Sequence, residues 1–508
     1  MNSNSRYGKV TYLFFLTLCL LFVGILSCNV MDVQAGPRDY KATYSNIEEL
    51  KSASVKSGNL VSTKGFTTTD DFGGAKYVIS SKPLFSIDTN MSIALDNGLY
   101  ANLLFEKSSI LNVACFGIQP DTIISRPLNS VLKAINHKVS GIRFNSGSYY
   151  VDKSIYLASI DYYGTDQTSF YVTPDFSTDF FGIFTTDPNE HEINLSFNNI
   201  RFYYTPGEES VRYGRQTCLV YLQNVRKCTV KNCCFYSDNL PESAFTPSDL
   251  FWIKSDSLSS LTVTKSTFVN ESGNHFSGTD HFIGGCLWVS GISKTSPNVF
   301  NNINISKCSF YTSVTDEAIA FWNGKFANIT INDSDFKYDG RIVNDNIIAF
   351  HYGAFPNSII KNNTFTIEGK STRLIKFLDL QGKSTFDVKN NTFTIDNNNI
   401  DKYKAYEIIQ FIDDNVTDST LHVSSNKVYG AENASYESFI TLKNVSKKKV
   451  YIDKNTNDLE LTTGFINVSK TSDTVINASN NSINNTKALY CPDKYSSIDY
   501  RFTENNIM

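Results

Sequence analysis

One short pattern recurs along most of this chain: alternating apolar residues, then two or three polar ones, then a single closing apolar residue. It reads CTVKNCCF, LTVTKSTF, INISKCSF, ITINDSDF, SIIKNNTF, FDVKNNTF and LHVSSNKV, and the closing positions are Phe235, Phe268, Phe310, Phe336, Phe365, Phe393 and Val428. These are separated by 26 to 42 residues, the spacing of a solenoid. Between them lies a second set of short strands: LFWIK, CLWVS, AIAFW, IIAFH, LIKFL and IIQFI. Two or three strands per repeat, joined at Asn- and Gly-rich corners, predict an all-β chain coiled as a parallel β-helix. Its coils stack at the inter-strand distance of any sheet. A β-propeller needs four strands in about 40–45 residues, and the shorter repeats leave no room for them. The polar residues before each closing position, Asn363 and Asn391 among them, are expected to stack as a ladder at a corner.

The remainder of the chain sets the context. Hydrophobic content of 41% with 13% aromatics suffices for a packed core, and the net charge of −4 without a basic run argues against a nucleic-acid partner. Arg6 and Lys9 precede an apolar run from Val10 to Leu26, which marks residues 1–35 as an export signal. Ile25-Leu26-Ser27-Cys28 fits lipoprotein-type processing with lipidation of Cys28. Val33-Gln34-Ala35 fits ordinary cleavage after Ala35, and an uncleaved signal anchor is a third reading. Each places the folded part outside the cytoplasm of a bacterium, secreted or at the cell surface, with the membrane touched only through a lipid or signal anchor. Eight further cysteines have no paired C-x-x-C spacing, so buried thiols are expected rather than a zinc site, with one or two disulfides as the alternative.

Residues 38–110 break the repeat. NIEELKSASVKSGNLVSTKGF and DDFGGAKYVI predict a short helix and small strands, an α+β module capping a β-helix over 111–508. This opening, continuing through LNVACFGIQPDT, VLKAI and GIRFNSGSYYVDKSI, resembles the start of proteins in the pectate lyase-like superfamily. Asn112, Val113, Phe116 and Gly117 match its N-V-x-x-F-G segment, and Ser146-Gly147-Ser148-Tyr149 matches its P-x-G-x-Y strand end more weakly. IQPDTIISRP stands where that group carries G-D-G-x-x-D-D. The resemblance implies a right-handed coil, in keeping with the crossover rule for parallel strands, and a polysaccharide ligand cleaved by a lyase or hydrolase. The segments N-T-D, G-D-D, G-H-G and R-I-K of polygalacturonases are missing, which keeps a non-catalytic adhesin or glycan-binding scaffold as the alternative.

Strand alternation sorts the second strand of each repeat into two faces. Ile253, Val289, Phe321, Phe350, Phe377 and Phe411 form one inward stack, with Phe251, Leu287, Ile319, Ile348, Ile375 and Ile409 two residues earlier. Outward rows then read Trp252, Trp288, Ala320, Ala349, Lys376, Gln410 and Lys254, Ser290, Trp322, His351, Leu378, Ile412. All three tryptophans of the chain fall on this face. Indoles beside a low alanine floor suit sugar rings, although the long insertion at 269–285 can equally bury them as a satellite core. Glu317, Arg373 and Glu407 share a column of inward parity, which predicts a structural Glu407–Arg373 pair.

Candidate chemistry follows from the same parity. Asp316 and Asp345 face outward in adjacent coils. Such a pair can act as acid and nucleophile on a glycosidic bond, equally hold a calcium ion, or simply accept hydrogen bonds at turns. A lyase instead needs a base and a cation beside a uronate; His351, Lys376 and Lys254 offer these, with Asp280 and His281 in the adjacent insertion. No organic cofactor is implied.

Overall fold

In a computed structural model of the chain, the described residues are 42–507 apart from 174–175, 177–181, 206–216, 238–247, 272–284, 293–297, 313–316, 339–345, 369–372, 397–404, 413–417, 432–433, 485–486 and 493–496. Three long sheets, one of 12 strands and two of 14, run side by side, and every pairing within them is parallel. Successive coils each give one strand to each sheet. Glu317–Trp322, Lys325–Asn332 and Asp335–Tyr338 form one coil, and Asn346–His351, Ser358–Lys361 and Thr364–Glu368 form the next. The chain is a right-handed parallel β-helix.

Each coil is pinned at three places. The closing phenylalanines stack directly, from Phe202–Phe235 at 5.0 Å to Phe365–Phe393 at 4.8 Å between centroids. A second stack, Phe321–Phe350–Phe377–Phe411, runs at 4.9 to 5.3 Å under the 12-stranded sheet. Between the two 14-stranded sheets the expected asparagine ladder is present and buried: Asn363, Asn391, Asn426, Asn455 and Asn481. Each backbone N–H donates to the next asparagine's Oδ1 at 2.9–3.0 Å. Toward the N-terminal end Ser334 continues the ladder through Asn363 Oδ1, and Cys308 through Ser334 Oγ. The residue before each rung takes a left-handed conformation, as Asn362, Asn390 and Lys454 do, so the chain turns from one sheet into the next within two residues. Asparagine tolerates that backbone better than most side chains.

The N-terminal module is a five-stranded sheet with one parallel and three antiparallel pairings. Its helix Ile47–Lys51 is capped by Asn46, which accepts from the Glu49 N–H. A second helix, Ser125–Ile135, buries Leu128, Val131, Leu132 and Ile135. From it Asn129 donates to the Ser154 carbonyl and accepts from the Tyr156 N–H, both at 2.8 Å, occupying backbone groups at the first edge of the 12-stranded sheet.

Thiols are packing groups in this fold. Cys115, Cys218, Cys228, Cys233, Cys286 and Cys308 are buried and free; burial pushes Cys308 up to about 11, leaving it protonated and inert at neutral pH.

Candidate functional site

The outward rows on the 12-stranded sheet are those expected from alternation. Tyr221, Trp252, Trp288, Ala320, Ala349, Lys376, Gln410 and Thr441 align as one column. Lys254, Ser290, Trp322, His351, Leu378 and Ile412 align as the next. The aromatic groups touch in sequence: Trp252–Trp288 edge to face at 5.4 Å, Trp288–Trp322 stacked at 5.8 Å, and Trp322–His351 at 4.8 Å. Tyr352, not foreseen from the sequence, adds a ring 5.6 Å from Trp322. Ala320 and Ala349 form the floor, and this cluster is separate from the main core.

The face is enclosed in its middle rather than an open groove. Trp288 is 7% exposed and His351 4%, while Trp252, Lys254, Trp322 and Lys376 are half-buried. Trp252 Nε1 donates to Ser290 Oγ at 2.7 Å, and Lys254 Nζ lies 5.9 Å from the Trp252 ring. By contrast, the indole nitrogens of Trp288 and Trp322 and both ring nitrogens of His351 are buried without a hydrogen-bond partner. A buried polar atom without a partner costs about 1–3 kcal/mol, and four such atoms lie together in this one cluster.

Burial, together with the nearby Lys376, pushes His351 down to about 3. The imidazole is therefore neutral at physiological pH, able to donate at one nitrogen and accept at the other, and too weakly basic to abstract a sugar proton efficiently. The shift also carries a stability signature. Below about pH 6.5 the unfolded chain takes up a proton here that the folded chain refuses, so stability falls as pH drops toward 3, by about 1.4 kcal/mol per unit. Urea unfolding of wild type and His351→Phe should diverge progressively between pH 6.5 and 4.5; a constant offset over that range would refute the assignment.

A third column lies on the same face, and alternation alone misplaces it. At the start of each strand two successive residues turn into the core: Leu250 with Phe251, Ala318 with Ile319, Ile347 with Ile348, Leu374 with Ile375, Ile408 with Ile409. The ladder skips the first of each pair, as between Glu317↔Asn346 and Ile319↔Ile348. The corner shifts parity by one, so Leu250, Cys286, Ile347 and Leu374, which strict alternation would turn outward, are core residues. Glu317 and its column, expected inward, emerge beside the tryptophans. A Cβ added to Gly285 of this column would lie 1.9 Å from Trp288 Nε1. Asp249, Glu317, Asn346 and Glu407 are its buried polar members. The expected Arg373–Glu407 pair is present at 3.5 Å; burial raises the Glu407 carboxyl and Arg373 partly offsets this.

Asp316, Asp345, Asp280, His281 and Cys28 lie outside the described residues, and with them the calcium reading of the Asp316–Asp345 pair. No group of three potential metal ligands occurs among the described residues.

No family model matches the chain, and no curated protein does. Solved structures do. The chain is similar in fold to tailspike protein 4 of bacteriophage CBA120, in its enzymatically active domain, with 12% identity and a TM-score of 0.43 over 92% of this chain and 54% of that one. It is similar to the tailspike gp49 of Acinetobacter baumannii bacteriophage Fri1, a capsular polysaccharide depolymerase, with 9% identity and a TM-score of 0.35 over 92% and 75%. PfbA, a surface adhesin of Streptococcus pneumoniae, aligns with 11% identity and a TM-score of 0.40 over 78% and 90%. The chain thus spans about half the length of the first of these. The likeness is one of fold.

Proposed function

We propose that this is an extracytoplasmic polysaccharide-binding β-helix of a bacterium that cleaves its ligand, and that the face bearing Trp252, Lys254, Trp288, Trp322 and His351 holds the sugar. The observation that carries this reading is the set of unpartnered buried nitrogens on Trp288, Trp322 and His351 beside indole faces. Saccharides are the ligand class that presents apolar ring faces and hydroxyl partners together. The half-buried Trp252 and Trp322 are the points of access, with Lys376 and Lys254 as the cations nearest the face for an acidic sugar. Hydrolysis fits better than elimination, because His351 is a poor base. Asp316, Asp345, Asp280 and His281 stay with the face as sequence candidates. A non-catalytic adhesin is the second reading, favoured by the enclosure of Trp288 and His351.

The test is a binding assay on an array of neutral and uronate-containing capsular polysaccharides, followed by mass spectrometry of products. Trp322→Ala should weaken binding about tenfold, the loss of roughly 1.4 kcal/mol of stacking, and leave the chain folded. Unchanged affinity for every bound polysaccharide would move the site off this face. Fragments with one added water mean hydrolysis, unsaturated ends mean a lyase, and binding without fragments means the adhesin.

A further inference from the structure

A second surface lies on another sheet, away from the tryptophans. The strands Ser358–Lys361, Thr385–Lys389, Ser419–Ser424 and Lys448–Asp453 are consecutive in one 14-stranded sheet. Alternation turns Ile359, Asp387, His422 and Tyr451 outward as one aligned column. This column is the floor of a groove of about 430 Å³ that runs from Asn357 to Asp453, a volume within the range of small-ligand sites. The His422 and Tyr451 rings stack at 4.9 Å between centroids, 10° from parallel, and both side chains are exposed.

The polar groups around these rings select the ligand. Asp387 is paired with Lys389 on its own strand. Asp453 accepts from Asn480 Nδ2 and Ser479 Oγ, each at 3.0 Å, and the Asn480 bond above all holds its carboxyl below the usual carboxylate range. The groove thus carries two carboxylates against one ammonium that is already paired, while Lys361 and Lys449 lie outside its lining. Such a balance disfavours an anionic ligand. Asp387 and Asp453 stand two coils apart, about 9.5 Å at the backbone, too far to grip one cation at ligand distances of about 2.3–2.6 Å. Every strand here is paired on both sides, so no open edge is offered to a peptide strand. At the other end Asn357 closes an exposed amide ladder. Its Nδ2 donates to Asn328 Oδ1 at 3.0 Å, and Asn328 Nδ2 donates to Asn302 Oδ1 at 3.2 Å. That direction leaves Asn357 Oδ1 at the groove as an acceptor.

The geometry points to this groove as a second binding site, for a pyranose unit of a neutral glycan, with the His422–Tyr451 pair against the sugar ring and Asn357 Oδ1 and the Asp387 carboxylate accepting from its hydroxyls. Ile359, half-buried beside Asp387, adds apolar contact. A carboxylate acceptor makes hydrogen bonds roughly twice as strong as a neutral one, and the ion pair with Lys389 holds Asp387 in place. The site is built from its own residues and stands whether or not the tryptophan face binds sugar. It begins in the coil that carries His351 and continues for three more. A polymer that engages both surfaces binds more tightly than either surface alone, since the second contact forms at high effective concentration.

The experiment titrates the full chain with neutral cello-, malto- and galactomanno-oligosaccharides, and with oligogalacturonate as the acidic control, by calorimetry and tryptophan fluorescence. All three tryptophans lie on the other face, so their emission reports that face alone. The expected result is neutral-oligosaccharide binding with unchanged emission. It is weakened about tenfold in Tyr451→Ala and in His422→Ala, and stays within about twofold of wild type in Trp322→Ala. Both groove side chains are exposed, so their removal leaves the chain folded. Asn357→Ala, with about a threefold weakening expected, keeps the test open if either variant fails. No binding of any neutral probe overturns the site, as does unchanged affinity in the groove variants or tighter, Tyr451-dependent binding of oligogalacturonate. Loss only in Trp322→Ala, with altered emission, assigns the sugar to the tryptophan face and likewise overturns the groove. Unchanged affinity of Trp322→Ala for every capsular polysaccharide counts against the tryptophan face and leaves this groove standing.

Discussion

Asn426→Ala should cost this β-helix about 3–5 kcal/mol, far more than a polar side chain at a turn ordinarily contributes. Asn426 Oδ1 accepts from the Asn391 N–H at 2.9 Å and from Asn391 Nδ2 at 3.0 Å, while its own Nδ2 donates to the Val388 carbonyl and to Asn455 Oδ1. Truncation strips partners from four polar atoms, of which the buried Asn391 N–H is wholly orphaned, at about 1–3 kcal/mol for each group left unpaired. The matched control is Asn328, which links Asn302 and Asn357 in an exposed ladder of the same kind; Asn328→Ala should stay within about 0.5 kcal/mol. Urea midpoints for the two variants decide the matter. If Asn426→Ala falls within about 0.5 kcal/mol of its control, the range of ordinary surface changes, the ladder is decoration rather than structure.

Phe321→Ala should be as damaging, by about 3–5 kcal/mol. Its ring is fully buried, stacked on Phe350 at 5.2 Å and edge-on to Phe326 at 5.5 Å, beneath the alanine floor of the site. Because each coil touches only its neighbours, the loss is local at first. Hydrogen exchange should accelerate in Leu287–Gly291 and Asn346–His351, the strands on either side, before distant coils respond. Uniform acceleration along the solenoid would contradict this. The adjacent Trp322→Ala makes the contrast, since that side chain faces outward, and its removal is expected to be felt in binding more than in folding.

What was legible in the sequence was whatever a strict two-residue period governs. The Phe235-to-Val428 stack, the Asn363–Asn391 rungs, both outward rows from Trp252 onward and the Arg373–Glu407 pair all follow from alternation once the repeat is aligned. The column through Asp249 and Glu317 was not, because the corner places Leu250 and Phe251, or Ala318 and Ile319, consecutively in the core, and parity counted back through a corner comes out inverted. A signal was present: in most repeats two adjacent apolar residues, not one, follow the polar position. The enclosure of Trp288 and His351 was not legible either, since it depends on what lies above the sheet, which no pattern within the strands encodes. Tyr352 was hidden differently, in a left-handed position just past the strand end, where tyrosine is not a residue that turn chemistry leads one to expect.

The aligned columns make the 12-stranded sheet a graduated scale, with one residue per coil in each column and divisions of about 4.8 Å. Duplicating the coil that carries Asn346–His351 would add an alanine to the floor and a phenylalanine to the stack beneath it, both already in register. It would also repeat His351 beside the tryptophans and Asn363 in the ladder, and move Lys376 one division farther from Trp322. Point mutations rewrite a single mark, but gain or loss of a coil changes the distance between marks in whole steps. In such a scaffold the length of ligand accommodated evolves by counting, and sugar identity by substitution, so the two properties can diverge independently along a lineage.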